Sequence, residues 1–349
     1  MASVEQRVAR THRPALARRD REAQPDIFDP PPDVQARVGR VRAALDAVPV
    51  PPKRPGNLLI GTWNLRCFGD LRKGWSSPPD ATPKRNFSDI HSIAAVIERF
   101  DVVAVQEVRG NIRALRYLLR LLGDEWGFLL TDVTRGPEAG DERLAFLFDT
   151  RRVKPSGLAC ELVVWISKDS PKVDQEMLGR QFARTPYACS FVTTGPEATT
   201  FILVTLHIDW GKRAADRVPE LTEIAEWLSH WAEQEDEWKH NVIALGDFNI
   251  DGIDDDLYNA FTSTGLVPAP GLARLPRTIF DSPTKPHNYD QIAWFTDEAT
   301  GPLLTMGYST AGHYDFAPQL KGKQTLTTLS WHVSDHYPMF VEFALPTAR

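Results

Sequence analysis

The 349-residue chain predicts an α/β fold in four α/β/β/α layers, two packed mixed β-sheets flanked by helices. Three observations predict it. Apolar, β-branched runs of strand length recur from residue 57 onward. Stretches of helical periodicity lie between some of them. The spacing is irregular and several neighbouring runs read as hairpins, which suits a sheet packed on a sheet with helices outside better than one parallel sheet.

Residues 1–30 are polar, Arg-rich and aperiodic, and read as a mobile arm. In residues 31–56, Pro31-Pro32-Asp33 precedes Val34, Val38, Val41, Leu45 and Val48, the spacing of one amphipathic helix capped at Asp33. PVPPKRPG at 49–56 ends it as a linker. The domain of residues 57–349 then carries the runs LLIGTWN (58–64), DVVAVQE (101–107), RLAFLFD (143–149), FILVTLH (201–207), NVIALGDFN (241–249), DQIAWF (290–295) and MFVEF (339–343). Helices are expected over 86–99, 111–122 and 218–238, the last with Ile224, Leu228 and Trp231 on one buried stripe and Trp227 beside it.

The composition, 42% hydrophobic and 25% charged, is that of a globular protein. No apolar run reaches the ~18–20 residues that cross a bilayer, and the Arg-bearing N-terminus has no apolar core of a secretory signal. Cys67, Cys160 and Cys189 form neither a closed disulfide framework nor a C-x-x-C pair, which points to a cytoplasmic location. Net charge is −6, yet residues 1–55 hold eleven Lys+Arg against seven Asp+Glu. Only the local field over a binding groove decides affinity for a polyanion, so net charge decides nothing here.

The runs or their flanks end in Asn64, Glu107, His207, Asp247 with Asn249, Asp290, and Asp335 with His336. Any one of these has a bland explanation as a turn former or a structural histidine. Together they suggest a pocket at one rim of a sandwich, where strand ends converge. Phosphodiester hydrolysis needs a hard cation at the phosphoryl oxygens, a base for water and an acid for the leaving oxygen. Carboxylate and amide oxygens suit Mg²⁺, with Mn²⁺ as a substitute. Two histidines can move the protons. No G-x-S-x-G, P-loop or G-x-G-x-x-G motif offers another chemistry.

TWN, QE, TLH, GDFN, YDQI and SDHYP, in this order over roughly residues 57–345, resemble the endonuclease/exonuclease/phosphatase superfamily. WNLRCFG, DVVAVQEVRG, DERLAFLFD, QFARTPYACSF and HYDFAPQL are most similar to deoxyribonuclease I. The resemblance implies a metal-dependent phosphodiesterase acting on nucleic acid, DNA first, as a monomer away from membranes. It implies Glu107 as metal ligand with Asn64 and Asp335 close to the ion, and Asp247 and Asn249 at the scissile phosphate. His336 with Asp290 resembles the general-base pair and His207 with Glu142 its partner at the leaving group, with base and acid left open between the two. Arg66, Arg109 and Arg184 match positions that contact DNA, Arg184 within a strand-like QFARTPY. Departures are the missing signal, the missing disulfides, and Gly140 where the family's stacking tyrosine stands. Two other readings stay open. One is a phosphoesterase of the same superfamily acting on a small-molecule or lipid-headgroup phosphate, with WGK (210–212) and KGWSSPP (73–79) as candidate membrane-facing loops. The other is a non-catalytic scaffold that keeps the fold.

Overall fold

The computed structural model describes residues 25–47, 50–134, 140–162, 184–195, 197–208, 214–233, 241–253, 255–282, 286–297 and 301–346. Most of the expected 1–30 arm, the WGK segment, Gln181–Ala183 and the side chain of Trp227 lie outside them.

Helix α1 (Pro32–Ala47) buries Val34, Val38, Val41 and Leu45, the stripe its periodicity marks. It packs on α2 (Phe87–Ile97), where Arg37 donates to Ser88 and to Asp89. Asn86 caps α2: its side chain accepts the Ser88 N–H, and Asp89 accepts the Asn86 N–H in return. Helix α3 (Arg113–Leu122) completes this layer. On its inner side lies a sheet of β1 (Asn57–Phe68), β2 (Val102–Arg109), β3 (Trp126–Leu130), β4 (Glu142–Asp149), β12 (Gly307–His313) and β13 (Met339–Ala344), in the order β12-β13-β1-β2-β4-β3.

The second sheet runs β11-β10-β8-β7-β6-β5, with β9 paired to β10. Its strands are β5 (Val153–Glu161), β6 (Tyr187–Thr193), β7 (Thr200–His207), β8 (Val242–Ile250), β9 (Leu266–Pro268), β10 (Asn288–Asp297) and β11 (Gly301–Pro302). Helices α4 (Ala214–Glu233) and α5 (Asp256–Thr262) cover it. On α4, Ile224 and Leu228 are buried as the stripe requires, and Trp231 packs at its edge. The core between the sheets is apolar: Ile60, Ala104 and Phe146 face Leu203, Ile243 and Ile292. Helix layers on both outer faces complete the four-layer order. Trp75 of the KGWSSPP segment packs against Phe87 and His91.

Strand direction places the site. β1 and β2 are parallel, as are β7 and β8, whereas β4, β10 and β13 run antiparallel to their neighbours. C-terminal ends of the first four therefore meet N-terminal ends of the other three at one rim. The ladder breaks register there, in β1 between Asn64 and Phe68, in β2 between Val105 and Val108, and in β10 between Asn288 and Asp290. Such bulges turn side chains off the alternating pattern.

The opposite rim is held by ion pairs. Asp149 accepts from Lys53 and Arg151, while Asp101 accepts from Arg152 and from the Leu59 N–H. Burial opposes the Asp149 charge, but Arg151 and Lys53 outweigh it and hold the carboxyl at about 2 against an ordinary 3.8. A depressed carboxyl contributes stability that is present above its unfolded value and lost as pH falls through the folded one. Wild-type stability to urea is expected to fall between pH 4 and 2 more steeply than that of Asp149→Asn, which starts lower at pH 7. Parallel curves for the two proteins would contradict it.

Candidate active site

Two imidazoles face one carboxylate oxygen. His207, the last residue of β7, holds Nδ1 3.0 Å from Glu142 Oε2 and Nε2 3.7 Å from Asp247 Oδ2. His336, just before β13, holds Nδ1 2.7 Å from Asp290 Oδ2 and Nε2 3.7 Å from the same Asp247 Oδ2. Asn64 Nδ2 donates to that oxygen as well, at 3.1 Å, and to Glu107 Oε1 at 3.0 Å. Each ring is thus fixed at Nδ1 by its own carboxylate, which sets the tautomer and leaves Nε2 aimed inward.

Local backbone explains the convergence. Gly246 has φ +143°, and a Cβ there would lie 2.1 Å from the Leu206 carbonyl oxygen, so only glycine lets β8 run this close to β7. Glu107 and Asn249 adopt φ of 60° and 50°, a left-handed conformation rare for non-glycine residues and common at functional sites. Asn249 then donates to the Ile208 carbonyl, while its N–H is taken by Asp247 Oδ1. Trp63 Nε1 donates to the His336 carbonyl, and the Ser334 hydroxyl joins the Asn64 carbonyl to the His336 N–H. Beneath them Gln106 donates to Thr62 and Thr205, tying one sheet to the other.

Charge at the site is unevenly held. Burial raises the Glu107 carboxyl, but His207, the Cys67 N–H, Asn64 and Arg109 outweigh it, holding it at about 2. Burial, with Asp247 beside it, pushes Asp290 up to about 6. Burial opposes the charge on His336, but Asp290 and Asp247 overcome it and raise this imidazole well above its ordinary value. Asp335 is raised by burial and by Glu107.

Each of the three expected arginines is paired with a site carboxylate. Arg66 Nη1 lies 2.6 Å from Asp335 Oδ2. Arg109 Nη2 lies 3.2 Å from Glu142 and 3.5 Å from Glu107. Arg184 Nε lies 2.6 Å from Glu142 Oε2, on the approach to β6 and not within a strand. The strand begins only at Tyr187, after Pro186, whose ring removes a ladder donor.

The donor set fits a hard cation. Carboxylates and a carboxamide surround the rim, ligand atoms of Asp247, Asp290 and His336 lie within 4.8 Å of one another, and Asp290 Oδ1 is buried without a hydrogen-bond partner. Residue reading left out three buried arginines. Arg85 donates to the carbonyls of Leu65, Arg66, Cys67, His332 and Val333, on the segments bearing Asn64 and Asp335. Arg277 donates to the Asp290 carbonyl, and Arg217 on α4 to that of Asn249. No periodicity marks an arginine that serves backbone carbonyls, so only the fold reveals them.

The sequence model of the endonuclease/exonuclease/phosphatase family matches residues 61–315. A protein of Thioalkalivibrio sp. (strain K90mix) named deoxyribonuclease is 26% identical over 311 residues, covering 86% of this chain and 75% of its own. Among solved structures, an endonuclease/exonuclease/phosphatase family protein from Bacteroides thetaiotaomicron superposes with TM-score 0.53 at 16% identity, covering 84% of this chain and all of that one. A mannosyl-6-phosphatase of Bacteroides thetaiotaomicron VPI-5482 gives TM-score 0.52 at 17% identity, over 82% of this chain and 99% of its own. With the motifs in order at one rim of the two-sheet sandwich, the chain belongs to the endonuclease/exonuclease/phosphatase family.

Proposed function

We propose that the protein is a divalent-cation-dependent phosphodiesterase that hydrolyses nucleic acid, DNA first. The carrying observation is the pair of oriented imidazoles, both with Nε2 at 3.7 Å from Asp247 Oδ2. A phosphate seated over Asp247 and Asn249 has one imidazole toward the attacking water and the other toward the departing oxygen. One ring takes a proton and the other gives one, which is the division of labour in-line displacement needs. Asp290 and Glu142 hold the two rings and stabilise the imidazolium form. Glu107, with Asn64 and Asp335 beside it, would hold Mg²⁺ or Mn²⁺, which when bound neutralises phosphoryl charge and stabilises the leaving oxyanion. The relative named deoxyribonuclease supports DNA as substrate. So do Arg66, Arg109 and Arg184, whose guanidiniums stand at the site carboxylates and put positive charge at the rim.

Plasmid nicking is expected with Mg²⁺ or Mn²⁺ and none with chelator. Glu107→Gln is expected to need at least about 10-fold more cation for half-maximal rate, the loss that follows a removed charged ligand. An unchanged cation titration would remove Glu107 from the ligand set. Intact plasmid and intact single-stranded DNA and RNA beside a cleaved small phosphoester would transfer the substrate to the small-molecule class that the mannosyl-6-phosphatase name exemplifies.

A further inference from the structure

We propose that the rim carries two nucleobase subsites, at Trp331 and Phe280, so that the site takes a strand with unstacked bases and cuts single-stranded nucleic acid in preference to intact duplex. The inference rests on the nucleic-acid reading above and names the form of that substrate.

Six large hydrophobic side chains among the described residues are strongly exposed, and two of them flank the segment bearing Asp335 and His336. Trp331 is 41% exposed on α6 (Leu326–His332), while its neighbours Leu329 and Ser330 are buried. The Arg66 guanidinium lies over its ring at 4.1 Å and pairs with Asp335, so a single guanidinium separates the indole from the site. Phe280 is 51% exposed beside the buried Ile279. Its segment is bridged to the one that precedes β13, Thr278 to His336, and the Ile279 N–H donates to the Asp335 carbonyl. Tyr289, with its ring 6.1 Å from that of His336 and stacked at 4.6 Å on His287, extends the aromatic surface on the Asp290 side.

Exposed rings beside a phosphate site offer a flat apolar face to whatever is attached to the phosphate. A nucleobase matches it with a full π-face, larger than the C–H face of a single sugar ring. Aromatic platforms next to cationic groups are how single strands are gripped without sequence readout, the ring taking the base and the guanidinium the phosphate. In an intact duplex both faces of each base are covered by its neighbours, so these rings would have nothing to stack on.

The test uses a single-stranded oligodeoxynucleotide whose one cleavable phosphodiester lies between methylphosphonate linkages, the same strand with abasic residues flanking that linkage, and its duplex form. Wild type is expected to cut the intact strand with a KM about 10-fold below that of the abasic strand, as stacking of one base provides, and to cut the duplex more slowly. The Trp331→Ala/Phe280→Ala variant is expected to show equal KM on the intact and abasic strands, and Trp331→Phe to retain most of the difference. A merely structural role would raise both values and leave their ratio as in wild type, which would overturn the subsites. Equal wild-type rates on strand and duplex would overturn them too. If no oligonucleotide is cut while a small phosphodiester is, the nucleic-acid reading falls and this inference with it; if strands are cut without regard to base or strandedness, the inference falls alone.

Discussion

Replacing either His207 or His336 with alanine is expected to lower kcat by at least about 10²-fold, the usual worth of a positioned proton-transfer group, with thermal stability close to wild type. The rings sit at strand ends whose backbone pairing does not need them, and their Nδ1 partners Glu142 and Asp290 keep Arg184 and Arg277 as counter-charges. The two variants should differ in one respect. A p-nitrophenyl phosphodiester leaves without a proton, so the variant that has lost the acid is rescued on this substrate and the variant that has lost the base is not. The geometry is nearly symmetric about Asp247, and the leaving-group dependence therefore assigns the roles that distances leave open. Activity near wild type in both variants would remove the two-imidazole mechanism.

The second large effect is expected at Arg85. This guanidinium is 2% exposed, is lowered by burial to about 10, and so remains charged at neutral pH. It serves five backbone carbonyls, from Leu65 to Cys67 and at His332 and Val333. Arg85→Met removes the donor from these acceptors, of which the Cys67 carbonyl keeps the Gly69 N–H, at roughly 1–3 kcal/mol for each one left unpaired where water cannot reach. A loss of at least about 3 kcal/mol in urea unfolding is expected, together with a fall in kcat, because the same segments bear Asn64 and Asp335. Arg85→Lys should fall between the two, since an ammonium has three donors and no planar fork. A loss below about 1 kcal/mol in the methionine variant would show that the clamp carries little.

The strands that end in site residues could be read from sequence because burial on both faces demands continuous apolar runs, as in Val102–Val105 and Ile202–Leu206. β5 and β12 were not legible for the converse reason. Most of their positions are half-buried or exposed, and β5 carries Pro155 and Gly157, residues that argue against a strand until its place at the sheet edge is known. The chemistry of the rim was visible residue by residue, since Asn64, Glu107, His207, Asp247, Asp290 and His336 end runs that a sandwich must align. Its aim was not. The bulges in β1, β2 and β10 and the left-handed backbone at Glu107 and Asn249 have no marker in residue type. Glutamate in that conformation is disfavoured locally and is held by the Asn64 amide and the Cys67 N–H. Nor could the charge pairing be foreseen: the arginines expected to await a phosphate are already engaged with the acids that surround it.

The placement of β13 carries a further consequence. This strand is the last among the described residues, lies between β12 and β1, and begins three residues after His336. The docking of β13 between two strands from other parts of the sheet therefore sets the position of the segment bearing Asp335 and His336, so loosening this strand would displace both side chains from the rim together.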